Sequence, residues 1–155
     1  MPRVERDAEC TIVVLTYKST RWLDFVMQGI DWAKNETRYR WCVVANDATE
    51  EVRNDPRITV DWRNEDPSDD RLARTYRAWN EGVLNAPTQL VVLTNDDMYG
   101  SDYCIDELMT VKREHPKTLP CGLLVEHGRI PSGMPEFVHP FGETPENFEQ
   151  QAFLQ

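Results

Sequence analysis

Residues 10–30 read CTIVVLTYKSTRWLDFVMQGI, and the reading of this stretch decides the fold. Cys10 to Thr16 is a short, uncharged, β-branched run, the pattern of a buried strand. Thr16-Tyr17-Lys18 ends it. Ser19-Thr20 then offers a helix cap, and Trp22, Leu23, Phe25, Val26, Met27 and Ile30 give the following helix a broad apolar face.

The same alternation continues outward. Trp41 to Ala45 (WCVVA) is a second buried strand, closed by the turn residues Asn46-Asp47-Ala48-Thr49. Arg57 to Trp62 alternates as a third strand, and Arg63 to Asp70 is a polar loop. Arg71 to Asn85 is helical, with Leu72, Tyr76, Trp79 and Val83 along one side. Gln89 to Leu93 is a fourth strand, Tyr103 to Glu114 a helix, and Leu119 to Val125 a fifth strand. From Glu126 the pattern turns to loop, with a short helix from Pro145. Strands separated by helices need crossover connections, so the expected class is α/β, a mainly parallel sheet flanked by helices. Ligands of such sheets bind at the carboxyl ends of the strands. Polar clusters fall there: Thr16-Tyr17-Lys18, Asn46-Asp47, Asn64-Glu65 and Asn95-Asp96-Asp97.

Bulk properties narrow the function. A chain of 155 residues fits a single domain, 1–155. Its formal net charge of -10 repels a phosphodiester backbone, so no nucleic-acid partner is expected. An acidic protein binds an anionic small molecule through a local device such as a divalent metal, an arginine or a helix N-terminus. Cys10, Cys42, Cys104 and Cys121 form no C-x-x-C pair, which argues against zinc and for reduced thiols. The polar first ten residues do not read as a signal peptide, and no apolar stretch reaches the roughly 18 residues of a transmembrane segment. The expected compartment is cytoplasmic.

The stretch Leu90-Val91-Val92-Leu93-Thr94-Asn95-Asp96-Asp97 asks why an apolar strand should stop at two carboxylates. Adjacent carboxylates repel unless a cation lies between them. Mg²⁺ or Mn²⁺ needs oxygen ligands and is held by one or two carboxylates plus substrate phosphates. An Asx turn that caps the next helix accounts for the same residues. Both readings stay open on this stretch alone.

Four segments, taken in order, resemble family 2 glycosyltransferases of the GT-A fold. Ile12-Val13-Val14-Leu15-Thr16-Tyr17-Lys18 is similar to the family's opening strand. Val43-Val44-Ala45-Asn46-Asp47-Ala48-Thr49-Glu50 is similar to its second strand and turn, and Arg77-Ala78-Trp79-Asn80-Glu81-Gly82-Val83-Leu84-Asn85-Ala86 to its R-A-x-N-x-G helix. Leu93-Thr94-Asn95-Asp96-Asp97 is similar to its D-x-D-type metal turn. The resemblance covers residues 11–108. It implies a nucleotide-sugar-binding half at 10–115 and a short C-terminal remnant or acceptor part at 116–155. It also implies transfer of a sugar, with inversion, from a nucleotide-diphosphate-sugar donor to a saccharide, lipid or protein acceptor. Thr16, Tyr17, Asn46, Asn80 and Asn95 would then bind the donor, and Asp96 and Asp97 the Mn²⁺ or Mg²⁺.

Two departures stand out. Ala45 occupies the place of a family Asp that reads the base, and Asn95 opens the metal turn without a charge. The family's acceptor half is also longer than the residues that follow the helix beginning near Tyr103. Glu143, Glu146 and Glu149 are the candidate bases for deprotonating an acceptor hydroxyl, and a solvated terminal helix is the plainer reading of all three. His127 and His139 are either late metal ligands or loop histidines. Trp22, Trp32, Trp41 and Trp79 read as packing residues, Arg71, Arg74 and Arg77 as a solvated helix face that could meet a diphosphate, and Asp69-Asp70 as a helix cap. The alternative to an enzyme is a half domain that binds a nucleotide sugar without acceptor machinery. A nucleotidyltransferase wants a glycine-rich loop after the first strand, and Tyr17-Lys18-Ser19-Thr20-Arg21 has no glycine. No G-x-G-x-x-G follows any strand, which excludes a dinucleotide fingerprint.

Overall fold

The computed structural model describes residues 7–122 and 141–154. In chain order the elements are β1 (Cys10–Thr16), α1 (Thr20–Trp32), β2 (Tyr39–Asn46), α2 (Glu50–Arg53) and β3 (Ile58–Trp62). They continue with α3 (Arg71–Leu84), β4 (Val91–Asn95), α4 (Cys104–Glu114) and α5 (Gln150–Phe153). The four strands are all parallel, in the order β3-β2-β1-β4. The α/β expectation is met: a parallel sheet with helices on both faces.

β1 is central because all seven of its residues are buried, whereas the outer strands β3 and β4 are only partly covered. Strand alternation divides the core into two layers. Ile12, Val14 and Val43 point to the face covered by α1 and α4 and pack with Leu23, Val26, Ile30, Ile105 and Met109. Val13, Leu15, Cys42 and Val44 point to the other face, against Ala78 of α3. Burial raises the Cys10 thiol to a pKa of about 11, so it behaves as an apolar core residue. None of the four cysteines is in a disulfide.

Local chemistry sets the helix ends. Ser19 caps α1, Thr49 caps α2 and Asp70 caps α3, the last through a 2.8 Å bond from the Ala73 amide. α4 starts differently, from Tyr103 at φ 62°, with no side-chain cap. Its first turn is instead clamped to the α1–β2 connection. Asn35 Oδ1 accepts from the Ile105 amide, and the Asp106 carboxylate accepts from the Glu36 and Thr37 amides at 2.8 and 2.7 Å.

Several expectations need correction. β4 runs Val91–Asn95 rather than Gln89–Leu93. Its apolar content ends at Leu93, but pairing with β1 continues to the Leu15–Asn95 position and carries the strand into polar residues. Of the bulky residues of α3, Leu72, Tyr76 and Val83 are exposed, at 59%, 54% and 41%, whereas Trp79 is partly buried and packs against the Val13, Leu15 and Val44 layer. The buried face is Ala78 and Gly82, because the helix lies so close that a Cβ at Gly82 would overlap the Val13 and Val44 side chains. Trp32 is exposed, about two and a half turns after Leu23 on α1 and so on the opposite face. Trp22, Trp41 and Trp79 are partly buried. Leu119 to Gly122 form no strand, and the rest of the expected fifth strand lies outside the described residues, as do His127 and His139. The short C-terminal helix begins at Gln150, not at Pro145.

Candidate functional site

β2 and β4 lie on opposite sides of β1, so the chain reverses its order across β1 and β4, and a crevice opens above their carboxyl ends. The crevice is a cleft of about 410 Å³ lined by Leu15, Thr16 and Tyr17 from β1, and by Asn46 and Asp47 from β2. Asn95, Asp96 and Asp97 line it from β4, and Asp69, Arg71, Arg74 and Thr75 from the start of α3. Thr16, Tyr17, Asn46, Asn95, Asp96 and Asp97, read from sequence as one site, therefore share one cavity.

Backbone hydrogen bonds hold the strand-end turns together. The Thr49 amide donates to the Tyr17 carbonyl at 3.1 Å, and the Asp47 amide to the Trp62 carbonyl at 3.1 Å. Asp47 sits at φ 47°, a left-handed conformation that Asp tolerates, and its Oδ1 accepts from the Asn64 amide at 2.9 Å. Tyr17 is 44% exposed at the mouth.

Burial dominates the electrostatics of the acidic turn. It raises the Asp96 pKa from 3.8 to about 6, and the neighbouring Asp97 charge adds to the rise. The Thr16 hydroxyl is near enough to draw that pKa partly back, yet Thr16 Oγ1 is buried with no partner of hydrogen-bond geometry. Asp69 has a second such atom. Its side chain is 8% exposed, Oδ1 pairs with Arg77 at 3.1 Å, and Oδ2 is buried without a partner. Unpartnered buried polar atoms are destabilising, and two residues that carry one, Thr16 and Asp69, both line the cleft.

The acidic turn is anchored by the residue just beyond it. Tyr99 packs over Gly29 of α1, where a Cβ would come within 2.7 Å of its ring. Phe25 and Phe148 lie 5.1 and 4.7 Å from the Tyr99 ring centre. The C-terminal residues from Phe141 form a closed loop whose Asn147 Oδ1 accepts from the Glu143 and Thr144 amides.

Other expected site residues lie elsewhere. Asn80 lines a neighbouring open hollow of about 930 Å³ with Asp61, Trp62, Arg63, Asn64 and Arg77, not the cleft. Glu143, Glu146 and Glu149 are exposed and none lines the cleft. Glu146 pairs with Arg21 at 3.2 Å; bonds from its own amide and Thr144, reinforced by Arg21, keep its carboxyl below the usual range. Arg71 and Arg74 are cleft residues rather than a purely solvated face. The sequence reading also missed Asp69. A helix needs only one N-cap and Asp70 supplies it, so the second carboxylate of that pair was the available signal.

Among the described residues no group of three or more His, Cys, Asp or Glu is placed to hold a metal by itself. Asp96 is partly buried and Asp97 is exposed beside it; two carboxylates are what Mg²⁺ or Mn²⁺ takes from a protein when phosphate oxygens and water complete its shell. No helix among the described residues is long and apolar enough to cross a membrane. No protein-family model matches the chain, and no curated protein matches it in sequence.

Proposed function

We propose that the strand-end cleft binds a nucleotide-diphosphate-sugar donor and that the chain is a metal-assisted glycosyltransferase similar to family 2 enzymes of the GT-A fold. The observation that carries this reading is the convergence of Thr16, Tyr17, Asn46, Asn95, Asp96 and Asp97 on one cavity at the β1–β4 reversal. In this reading Tyr17 stacks on the base at the mouth, and Asn46 and Asn95 offer amides to the base, ribose or sugar. Asp96 and Asp97 hold Mn²⁺ or Mg²⁺ together with the diphosphate. The ion, when bound, supplies Lewis-acid neutralisation of the leaving diphosphate. Arg71 and Arg74 add positive charge along the same wall. Inversion at the anomeric carbon and the nature of the acceptor follow the resemblance.

A second reading is favoured by one specific observation. None of Glu143, Glu146 and Glu149 reaches the cleft, and Glu146 is engaged with Arg21. A non-catalytic nucleotide-sugar-binding half domain needs no base and accounts for that placement.

Thermal unfolding with UDP, GDP, dTDP and CDP, each with and without Mn²⁺, tests donor binding. A ligand at about 100 times its dissociation constant stabilises by about 2.7 kcal/mol. The expected result is a metal-dependent shift with at least one nucleotide, lost in Asp96→Ala; no shift with any nucleotide overturns the proposal. Release of nucleoside diphosphate from the matching nucleotide sugar in the presence of saccharide, lipid or protein acceptors, with the sugar recovered on the acceptor, then separates transferase from binding module.

A further inference from the structure

We infer that the outer edge of β4 is a dimer interface, at which two copies of the chain pair β4 with β4 in antiparallel fashion and join into one continuous sheet. β4 ends the order β3-β2-β1-β4, and among the described residues nothing pairs with its outer side. The backbone N–H and C=O groups of an open edge are a template for another strand, and proteins blunt such edges with a charge, a proline or a bulge. The opposite edge of the sheet is blunted in this way: β3 carries Asp61, and its register with β2 shifts at Val43/Val44. β4 has none of these devices. Val91–Asn95 holds no charge and no proline, and it pairs with β1 without a shift.

The surfaces beside that edge are apolar on both faces of the sheet. On the α3 face Leu93 is 49% exposed. Leu72, Trp79 and Val83 fall within about 40° of one another around α3. They lie opposite Arg77 and Glu81, which line the hollow against β3, so their flank of the helix looks toward β4. On the other face Asp106 and Arg113 tie one flank of α4 to the α1–β2 connection and to Glu9, and Val111 is exposed on the opposite flank. At roughly 200 Å² for a fully exposed large side chain, Leu72, Tyr76, Val83, Leu93 and Val111 present on the order of 450 Å². The half-covered side chains between them and the strand backbone bring the patch near the roughly 800 Å² that each partner of a stable pair contributes.

Charge selects a second copy as the occupant. A formal net charge of -10 makes copies repel, so they approach where charge is absent. Residues 82–95, which hold β4 and the chain leading into it, are the longest uncharged run of a protein in which 28% of residues are charged. An antiparallel β4 pair is self-complementary about a two-fold axis, as a closed dimer requires. It sets the two strand-end clefts at opposite ends of the joint sheet, so pairing is independent of what the cleft binds.

Sedimentation equilibrium of the full chain from about 1 to about 100 µM tests this. The expected result at the upper concentration is a mass of twice the 18.1 kDa of one chain and no more. Leu93→Lys sets like charges across the paired strands and should weaken the dimer at least about tenfold. Amide hydrogen exchange of the wild-type chain needs no variant: Val91–Asn95 should exchange about tenfold more slowly in the dimer than in the monomer obtained by dilution. This comparison stands even if Leu93→Lys does not fold. A single-chain mass at the upper concentration overturns the dimer, and slow exchange at β4 in that monomer then identifies a cover from the same chain. A mass that climbs beyond two copies overturns the two-fold pairing. A dimer of unchanged strength in Leu93→Lys places the contact elsewhere and overturns the role of β4.

Discussion

The ring of Tyr99 occupies the space that a side chain on Gly29 would need: a Cβ there would lie 2.7 Å from Tyr99 Cδ2. This contact pairs a glycine in the last turn of α1 with an aromatic two residues past the acidic turn. Gly29→Ala should displace the ring and destabilise the fold by about 1–3 kcal/mol, the range for overpacking. Urea unfolding measures the loss, and a midpoint equal to wild type contradicts the packing.

Phe148 brings the C-terminal loop onto the same ring, with Tyr99 4.7 Å away and Phe25 edge-on at 5.1 Å. Phe148→Ala should cost about 1–2 kcal/mol, less than a fully buried phenylalanine, because the side chain is only partly covered. Limited proteolysis should then cut residues 141–154 faster than in the wild-type protein. An unchanged cleavage rate means that this loop is not held by the aromatic contact.

Asp96 gives a pH dependence with a definite sign. Its folded pKa, about 6, lies above the ordinary 3.8, so the folded state binds the proton more tightly than the unfolded state. Its contribution to stability is therefore favourable at low pH and is lost as pH rises from about 4 to about 6. Asp96→Asn removes that loss. The variant should gain on wild type in melting temperature as pH climbs through this window, and the gap should stay constant above it. A gap that is the same at about pH 4 and about pH 7.5 refutes the assignment.

Asp106 carries the opposite sign. Burial tends to raise its pKa, but the bonds from the Thr37 and Glu36 amides prevail and hold it below 3.8. Its stabilisation is present above the unfolded value and lost as pH falls through the folded one. Asp106→Ala should cost about 1–2 kcal/mol near neutral pH and much less in acid. Chemical denaturation at the two pH values checks this, and equal losses at both count against the clamp.

Gly82→Ala tests how α3 meets the sheet. The new methyl group would press on Val13 and Val44, a contact relieved only by moving the helix off β1 and β2. A loss of about 1–3 kcal/mol is expected. Since α3 carries Arg71 and Arg74 in the cleft wall, the nucleotide affinity expected under the donor-binding proposal should fall along with stability.

The parallel α/β architecture was legible in the sequence because it depends on local periodicity. The uncharged runs at Cys10–Thr16 and Trp41–Ala45 suit central strands, and Ser19 and Asp70 mark helix starts through bonds made within a few residues. Most of the cleft was legible for a related reason: parallel strands deliver their carboxyl ends to one edge, so Thr16, Asn46 and Asn95-Asp96-Asp97 were bound to meet. The tertiary structure decided what depends on contacts between distant segments. Pairing with β1 extended β4 to Asn95, and close approach at Gly82 left Leu72, Tyr76 and Val83 outward and brought Ala78 in, with Trp79 packed beside it. The neighbouring hollow took Asn80, and Glu146 pairs with Arg21 outside the cleft lining. Of the pair Asp69-Asp70, identical in type and adjacent in sequence, one became a solvent-facing cap and the other a buried acceptor. Only the positions of Arg77 and the cleft separate the two, because the burial of a charge is a property of its surroundings, not of its side chain.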